Sequence, residues 1–431
     1  MDLAVMDTDV SDEMRDTGGF FLLHQPILNR KQTLVAYGLS FRDESQGLNG
    51  DDKKSVTAAV VKDSTEKGMR NVVGSSLAFL CVDAEVLMND AIFTLARQRI
   101  VLEIPQTLNL TVKLMERIEM LFEAGYRFAV ADVVAYSYRT DLLMPFVNVV
   151  KIDVFDLPEV KIAALGKYFK SKKKILLADK VAVVDKFELC KKHGFHFFQG
   201  YYFAQPEVIK GKQVSQLSLR VMYILTLIAN GDNNFEIVRA IDQDVVLKEM
   251  LLHLFNTPLC GFTRRIESLD HLLLVLGHRQ LKRLLHIVLY ANRLGAACSA
   301  LMTLAATRGR LCELLAEAIQ PRCYIKPYVA FTVGALSFAD VVLNLDVANI
   351  VDQIGESSEV CGALNARAGV YGDLLTLVEL YEMPELFDAD KINRLLDQFQ
   401  LSKREFFHMQ KQAFSWGSSI SEYMSIQLAD Q

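Results

Sequence analysis

The chain has 431 residues, 51% of them hydrophobic and 23% charged, with a formal net charge of -5. That length exceeds one ordinary core and suits two or three domains, while the apolar content excludes a disordered chain. The slight acidity, with a pI of about 6.0, gives no general attraction to nucleic acid or to an anionic membrane.

Residues 1–18 read as an acidic, polar tail with neither a basic start nor an apolar run, which argues against a secretion leader. Short β-branched or aromatic runs then alternate with amphipathic segments. The predicted strands are Phe20 to Gln25, Thr33 to Phe41, Leu77 to Val82, Ile100 to Ile104, Phe128 to Asp132, Val147 to Asp153, Ile175 to Ala178 and His196 to Phe198. Helical patterns such as Leu110 to Ala124 and Val183 to His193 lie between most of them. Strands interleaved with helices imply βαβ units and a parallel sheet, and about eight of them suggest a closed barrel. Glu103, Asp132 and Asp153 stand at strand carboxyl ends, where barrel sites are built. The basic run Lys172 to Lys174 suits a solvated helix end.

After Pro206 the texture changes. Apolar residues recur at spacings of three and four, as in Val221, Ile224, Leu225 and Ile228, and again in Leu284, Ile287 and Val288. This predicts an all-α module. The boundary falls between Pro206 and Lys212, which divides the chain into an α/β barrel over 19–208, a helical domain over 209–405 and an amphipathic tail over 406–431. The tail carries Phe406, Phe407, Met409, Phe414 and Trp416 and is expected to dock back onto the helical domain. Seven cysteines without a C-x-x-C pair argue against a disulfide framework or a structural zinc site. No uncharged apolar run reaches the roughly 18 residues of a membrane span, so the expectation is a cytoplasmic protein with no membrane insertion.

Three motifs in the first half are specific in their order and spacing: His24-Gln25-Pro26-Ile27, Val150-Lys151-Ile152-Asp153, and Gln199-Gly200-Tyr201-Tyr202-Phe203 leading to Pro206. Together they resemble the EAL domain family, TIM-barrel-like (β/α)8 phosphodiesterases that cleave cyclic di-GMP. The resemblance implies Mg²⁺ or Mn²⁺ held by carboxylates and an amide oxygen, which activates water and neutralises the phosphate.

Position by position, this sequence departs from that pattern. The signature Glu-Ala-Leu falls on Gly38-Leu39-Ser40, and the family's metal-binding Asn falls on Cys81. Glu103 is kept while Gln106 replaces the second Glu of its strand. Ala131-Asp132 keeps one of two carboxylates, and Asp179-Lys180 replaces Glu-Gly. Lys151 and Asp153 survive. Glycine and alanine offer no ligand atom and a thiol suits hard cations poorly. Catalysis is therefore not expected, and the remnants Glu103, Asp132, Lys151 and Asp153 are expected to form an ion-pair network at the barrel mouth. Gln25 and Arg42 match positions that touch the dinucleotide in the family. With Tyr201 and Pro206 they keep open a receptor that binds without cleaving, unless Lys180 fills the pocket.

In the helical half, Ile241-Asp242-Gln243-Asp244, Phe255-Asn256-Thr257-Pro258, Ile266-Glu267-Ser268-Leu269, Leu276-Gly277 and Ala330 to Leu336 followed by Ser337-Phe338 resemble an HDOD domain. The family is a non-catalytic relative of HD-type metal phosphohydrolases. Ser337-Phe338 stands where those enzymes carry His-Asp. No His-Asp dipeptide occurs in the chain, and His253, His271, His278, His286 and His408 sit in helical patterns without a matching acid cluster. Asn256 is expected to end a helix before Pro258, and Gly277 to permit a turn or close helix packing.

The expectation is thus a non-catalytic bacterial signalling protein without a cofactor, acting through other signalling proteins in a cyclic di-GMP or two-component network. The alternatives are a cyclic di-GMP receptor and, more remotely, a weak Mg²⁺- or Mn²⁺-dependent phosphodiesterase using Glu103, Asp132 and Asp179. A nucleic-acid partner is not expected, and a homodimer stays open.

Overall fold

The computed structural model describes residues 21–42, 76–202, 215–257, 266, 268–291, 300–343, 345–382 and 388–429. The acidic tail, Pro206 and the domain boundary at 208–209 lie outside the described residues. Eight strands close a barrel in sequence order: β1 Phe21–Asn29, β2 Leu34–Arg42, β3 Leu77–Cys81, β4 Ile100–Pro105, β5 Arg127–Val133, β6 Val147–Asp153, β7 Ile175–Asp179 and β8 Phe197–Gln199. Each coincides with a predicted run to within a few residues, because buried β-branched stretches bounded by turns specify strands strongly.

The sheet is not wholly parallel. β1 runs antiparallel to both β2 and β8, and the remaining neighbours are parallel. Only four residues separate β1 from β2, far fewer than a parallel crossover needs, so the pair must form a hairpin. Its turn is closed by the Asn29 side chain, whose Oδ1 accepts from the backbone of Lys31 at 2.8 Å and Thr33 at 3.0 Å.

The helices after β3 begin with α1 Ala84–Met88 and α2 Val112–Glu123, followed by α3 Tyr138–Leu143, α4 Glu159–Ser171 and α5 Val184–Lys192. α2 shows why they form. Thr111 caps it by accepting from Leu114 N, and Leu114, Ile118 and Leu121 bury one stripe. These helices pack outside the strands in one core with Phe128, Phe169, Phe187 and Phe198.

The helical half comprises α6 Gln216–Asn230, α7 Asn234–Asp242, α8 Val245–Phe255, α9 Leu269–Val288, α10 Ala300–Ile319, α11 Pro327–Leu336, α12 Ala339–Leu343, α13 Val347–Gln353, α14 Ser358–Ala366, α15 Gly369–Glu382, α16 Ala389–Phe399 and α17 Lys403–Ala429. Asn256 ends α8 and bridges to Ile266 through both amide atoms, at 2.8 and 2.7 Å. Gly277 breaks α9 with φ 68 and ψ 174, so the turn expected there is a kink inside one long element. α10 and α11 meet at Gly334, where a Cβ would lie 2.6 Å from Arg308 O. The expected amphipathic tail begins three residues early, as α17. Its Phe406 is buried against Tyr381, and Trp416 meets Phe331 edge-on at 5.9 Å. Phe414 reaches further and stacks on His24 of β1 at 3.8 Å.

Candidate functional site at the carboxyl end of the barrel

Seven interior side chains, Ile27, Ala36, Phe79, Val101, Ala129, Val149 and Leu177, pack as an apolar layer across the barrel. Strand residues alternate between faces. Two residues nearer the carboxyl ends of β2 to β8, and the amino end of antiparallel β1, the next interior layer therefore comprises Gln25, Gly38, Cys81, Glu103, Ala131, Lys151, Asp179 and Gln199. This layer gathers the kept positions Glu103, Lys151 and Asp179 with the lost positions Gly38, Cys81 and Ala131.

Charge in the layer is organised by Lys151. Its ammonium donates to Glu103 Oε1 and Oε2 at 3.0 and 3.2 Å and lies 3.5 Å from Asp179 Oδ2. Glu103, Lys151 and Asp179 are each at most 6% exposed. Burial by itself lowers Lys151, but Asp179 and Glu103 outweigh it and hold the amine protonated. Burial raises both carboxyls, with Lys151 opposing. Cys81 lies exposed at the mouth. The protein packed around its sulfur and the charge of Glu103 still push the thiol up to about 12, so it stays protonated and a poor ligand.

The space beside Gly38 is taken. A Cβ there would meet Gln199 Nε2 at 2.6 Å. Gln199 is 2% exposed and donates that nitrogen to Gln25 Oε1 at 2.7 Å. Sequence reasoning did not single out Gln199 as a site residue, although the period-2 position two residues beyond Phe197 was legible. The residues present do not suit a divalent cation. Gly38 and Ala131 offer no donor, Gln199 occupies the first ligand's place, and the two buried carboxylates already embrace an ammonium. Among the described residues no group of three His, Cys, Asp or Glu side chains is placed to hold a metal ion.

The expected ion-pair network forms in two separate parts and without Asp132. Asp132 is exposed and left-handed, with φ 56, because β5 is irregular between Val130 and Val133. Lys180 also has positive φ, 55, as befits a position where the family carries glycine. A Lys180 side chain filling the pocket was the condition that would close it to a ligand. It is half-exposed instead and crosses the rim to Asp153 Oδ2 at 2.5 Å. Tyr201 leaves the barrel, is 4% exposed and donates to Glu382 O of α15 at 2.7 Å. Arg42 ends β2 opposite Phe21, while Pro206 lies outside the described residues.

The second lost site is also filled by the chain itself. Arg308 of α10, 1% exposed, donates to Ser337 Oγ at 2.9 Å and stacks over the Phe338 ring at 3.8 Å. Its other nitrogens reach Glu382 Oε2 at 2.9 and 2.6 Å. A guanidinium therefore stands at the position where a metal-binding dipeptide was sought.

Residues 216–359 match the HDOD domain family. The chain is an EAL-like barrel followed by an HDOD domain. Of the curated relatives, the Vibrio cholerae serotype O1 protein named cyclic di-GMP phosphodiesterase CdgJ is 28% identical over 368 residues, 84% of each chain. The uncharacterized protein YuxH of Bacillus subtilis is 24% identical over 93% of this chain and 99% of its own. Among solved structures, the EAL enzyme Bd1971 bound to cAMP and cyclic di-GMP overlaps with a TM-score of 0.36 and 16% identity. That overlap covers 43% of this EAL-HDOD chain and 62% of the other, less than two thirds of its length. Bacillus subtilis YkuI, with an EAL domain and in complex with cyclic di-GMP and calcium, overlaps with a TM-score of 0.37 and 17% identity, over 59% of this chain and 70% of its own. No described helix of the EAL-HDOD chain is long and apolar enough to cross a membrane.

Proposed function

We propose that this EAL-HDOD chain is a non-catalytic signal-transduction protein that acts by contact with other proteins. Its setting is a network built on cyclic di-GMP, the nucleotide in the name of the Vibrio cholerae relative, or on two-component signalling. The single observation that carries the reading is the buried Lys151 ammonium between Glu103 and Asp179. Hydrolysis of a phosphodiester needs a metal-bound water, and a cation placed between these carboxylates would have to displace Lys151 against direct charge repulsion. With Gly38, Cys81 and Ala131 in the same layer, too few oxygen ligands remain to repay that cost.

A second reading, a cyclic di-GMP receptor without hydrolysis, draws support from Gln25, whose half-buried amide faces the same layer. The remote third, a weak phosphodiesterase using Glu103, Asp132 and Asp179, is disfavoured by the exposed Asp132, which is turned out of the layer.

Calorimetric titration with cyclic di-GMP, with and without Mg²⁺ or Mn²⁺, separates the three when the recovered nucleotide is checked for cleavage. Silence in every condition is expected. Binding with intact nucleotide would promote the receptor. Metal-dependent cleavage would overturn the non-catalytic reading.

A further inference from the structure

The HDOD domain contains a cavity of about 640 Å³, bounded by α9 after its kink, Glu313 of α10, the start of α11 and the α13–α14 connection. That volume lies in the range, about 300–1,000 Å³, of sites for small organic ligands. Its lining is cationic and aromatic: Arg279, Lys282, Arg283 and Lys326 face it with Tyr328 and Phe331.

The acids of the cavity are largely engaged. Glu313 accepts from Arg283 at 3.0 Å and from Arg310 at 2.6 Å, and Glu356 pairs with Lys282 at 2.7 Å. Arg279 and Lys326 enter no ion pair among the described residues. Both are exposed, and the Arg279 guanidinium lies over the Tyr328 ring, 4.6 Å from its centroid. Arg283 repeats the motif over Phe331 at 4.4 Å. The remaining acid, Glu359 of α14, also lines the cavity and offers an acceptor.

Two uncommitted cations suit a phosphate, and a guanidinium presents it a planar fork of donors. Guanidinium groups and aromatic rings side by side suit a flat ring, which can stack on either, and a carboxylate suits a ring amino group. A divalent cation does not fit, because Glu313 and Glu356 are already neutralised. We propose that this cavity binds a phosphate monoester bearing a planar ring, a nucleoside monophosphate in class, with Arg279 and Lys326 holding the phosphate. The HDOD domain then has its own small-molecule input, independent of what the barrel binds.

The test is calorimetric titration of the full chain with AMP and, separately, with inorganic phosphate. AMP is expected to bind at one site and more tightly than phosphate. Arg279→Ala with Lys326→Ala is expected to weaken AMP at least about tenfold, a loss of 1.4 kcal/mol by the conversion of affinity to free energy. Both side chains are exposed, and circular dichroism checks that the variant is folded. A control pair on the barrel, Lys172→Ala with Lys173→Ala, is expected to leave AMP binding unchanged. Absence of AMP binding, equal affinity for phosphate and AMP, or equal loss in the control pair would each overturn the proposal.

Discussion

The hydroxyl of Tyr201, two residues past the last barrel strand, donates to the backbone carbonyl of Glu382 at the end of α15, 2.7 Å away. Glu382 in turn receives Arg308, which holds Ser337 and Phe338. One chain of contacts thus joins the end of the barrel to the lost metal position of the HDOD domain. Phe414 on His24 makes a second bridge between the two halves.

Tyr201→Phe removes the hydroxyl and strands a buried carbonyl at that junction. The expected loss is about 1–2 kcal/mol, within the range for an unsatisfied buried acceptor. Urea unfolding checks it, since the midpoint should fall with little change in slope. An unchanged midpoint would mean that the two halves do not depend on this contact.

Lys151→Met leaves Glu103 and Asp179 buried without their cation. Breaking a buried pair in this way costs about 3–5 kcal/mol, whereas removing the whole network is often neutral. The triple variant Glu103→Gln, Lys151→Met, Asp179→Asn should therefore recover most of the stability lost by the single one. Additive losses in denaturant unfolding would contradict the coupling of these three residues.

Restoring the family's acid with Gly38→Glu should not restore a metal site. The new Cβ would lie 2.6 Å from Gln199 Nε2, and Gln199 is held by Gln25. Overpacking of a filled core costs about 1–3 kcal/mol. The melting temperature is expected to drop and to stay insensitive to millimolar Mg²⁺ or Mn²⁺. A metal-dependent rise, which follows whenever an ion binds only the folded form, would show that Lys151 and Gln199 can yield.

Acid should weaken the HDOD domain through Glu356. Burial raises this carboxyl, but His286 at 3.2 Å and Lys282 at 2.7 Å outweigh it and bring it below its ordinary 4.5. A depressed carboxylate gives stability that is present above the unfolded value and is lost as pH falls through the folded one. Glu356→Gln should therefore be less stable than the parent at pH 7, with the difference shrinking below 4.5. Glu103 and Asp179, whose raised carboxyls act with the opposite sign, are common to both proteins and cancel in the comparison. Parallel stability curves from pH 7 to the acid limit would remove Glu356 from the account.

The sequence by itself determined the elements and their order. Short β-branched and aromatic runs marked all eight strands, and spacings of three and four marked the helical half, because burial writes itself into local pattern. It also held the β1–β2 hairpin, in the shortness of the segment from Arg30 to Thr33, although a wholly parallel barrel was expected. Alternation gives the face on which Gly38, Cys81, Glu103, Lys151 and Asp179 stand along each strand, and the register of the closed barrel brings them into one interior layer. What alternation cannot give is the partner across that layer. Only the closed barrel decided that Lys151 lies between Glu103 and Asp179, that Asp132 turns outward, and that Gln199 fills the space beside Gly38. The same holds for Arg308 beneath Ser337 and Phe338, 29 residues away in the chain, and for Tyr201 on Glu382, 181 residues away. Local periodicity records which face of an element is buried, and the groups that meet there are fixed by how distant segments pack.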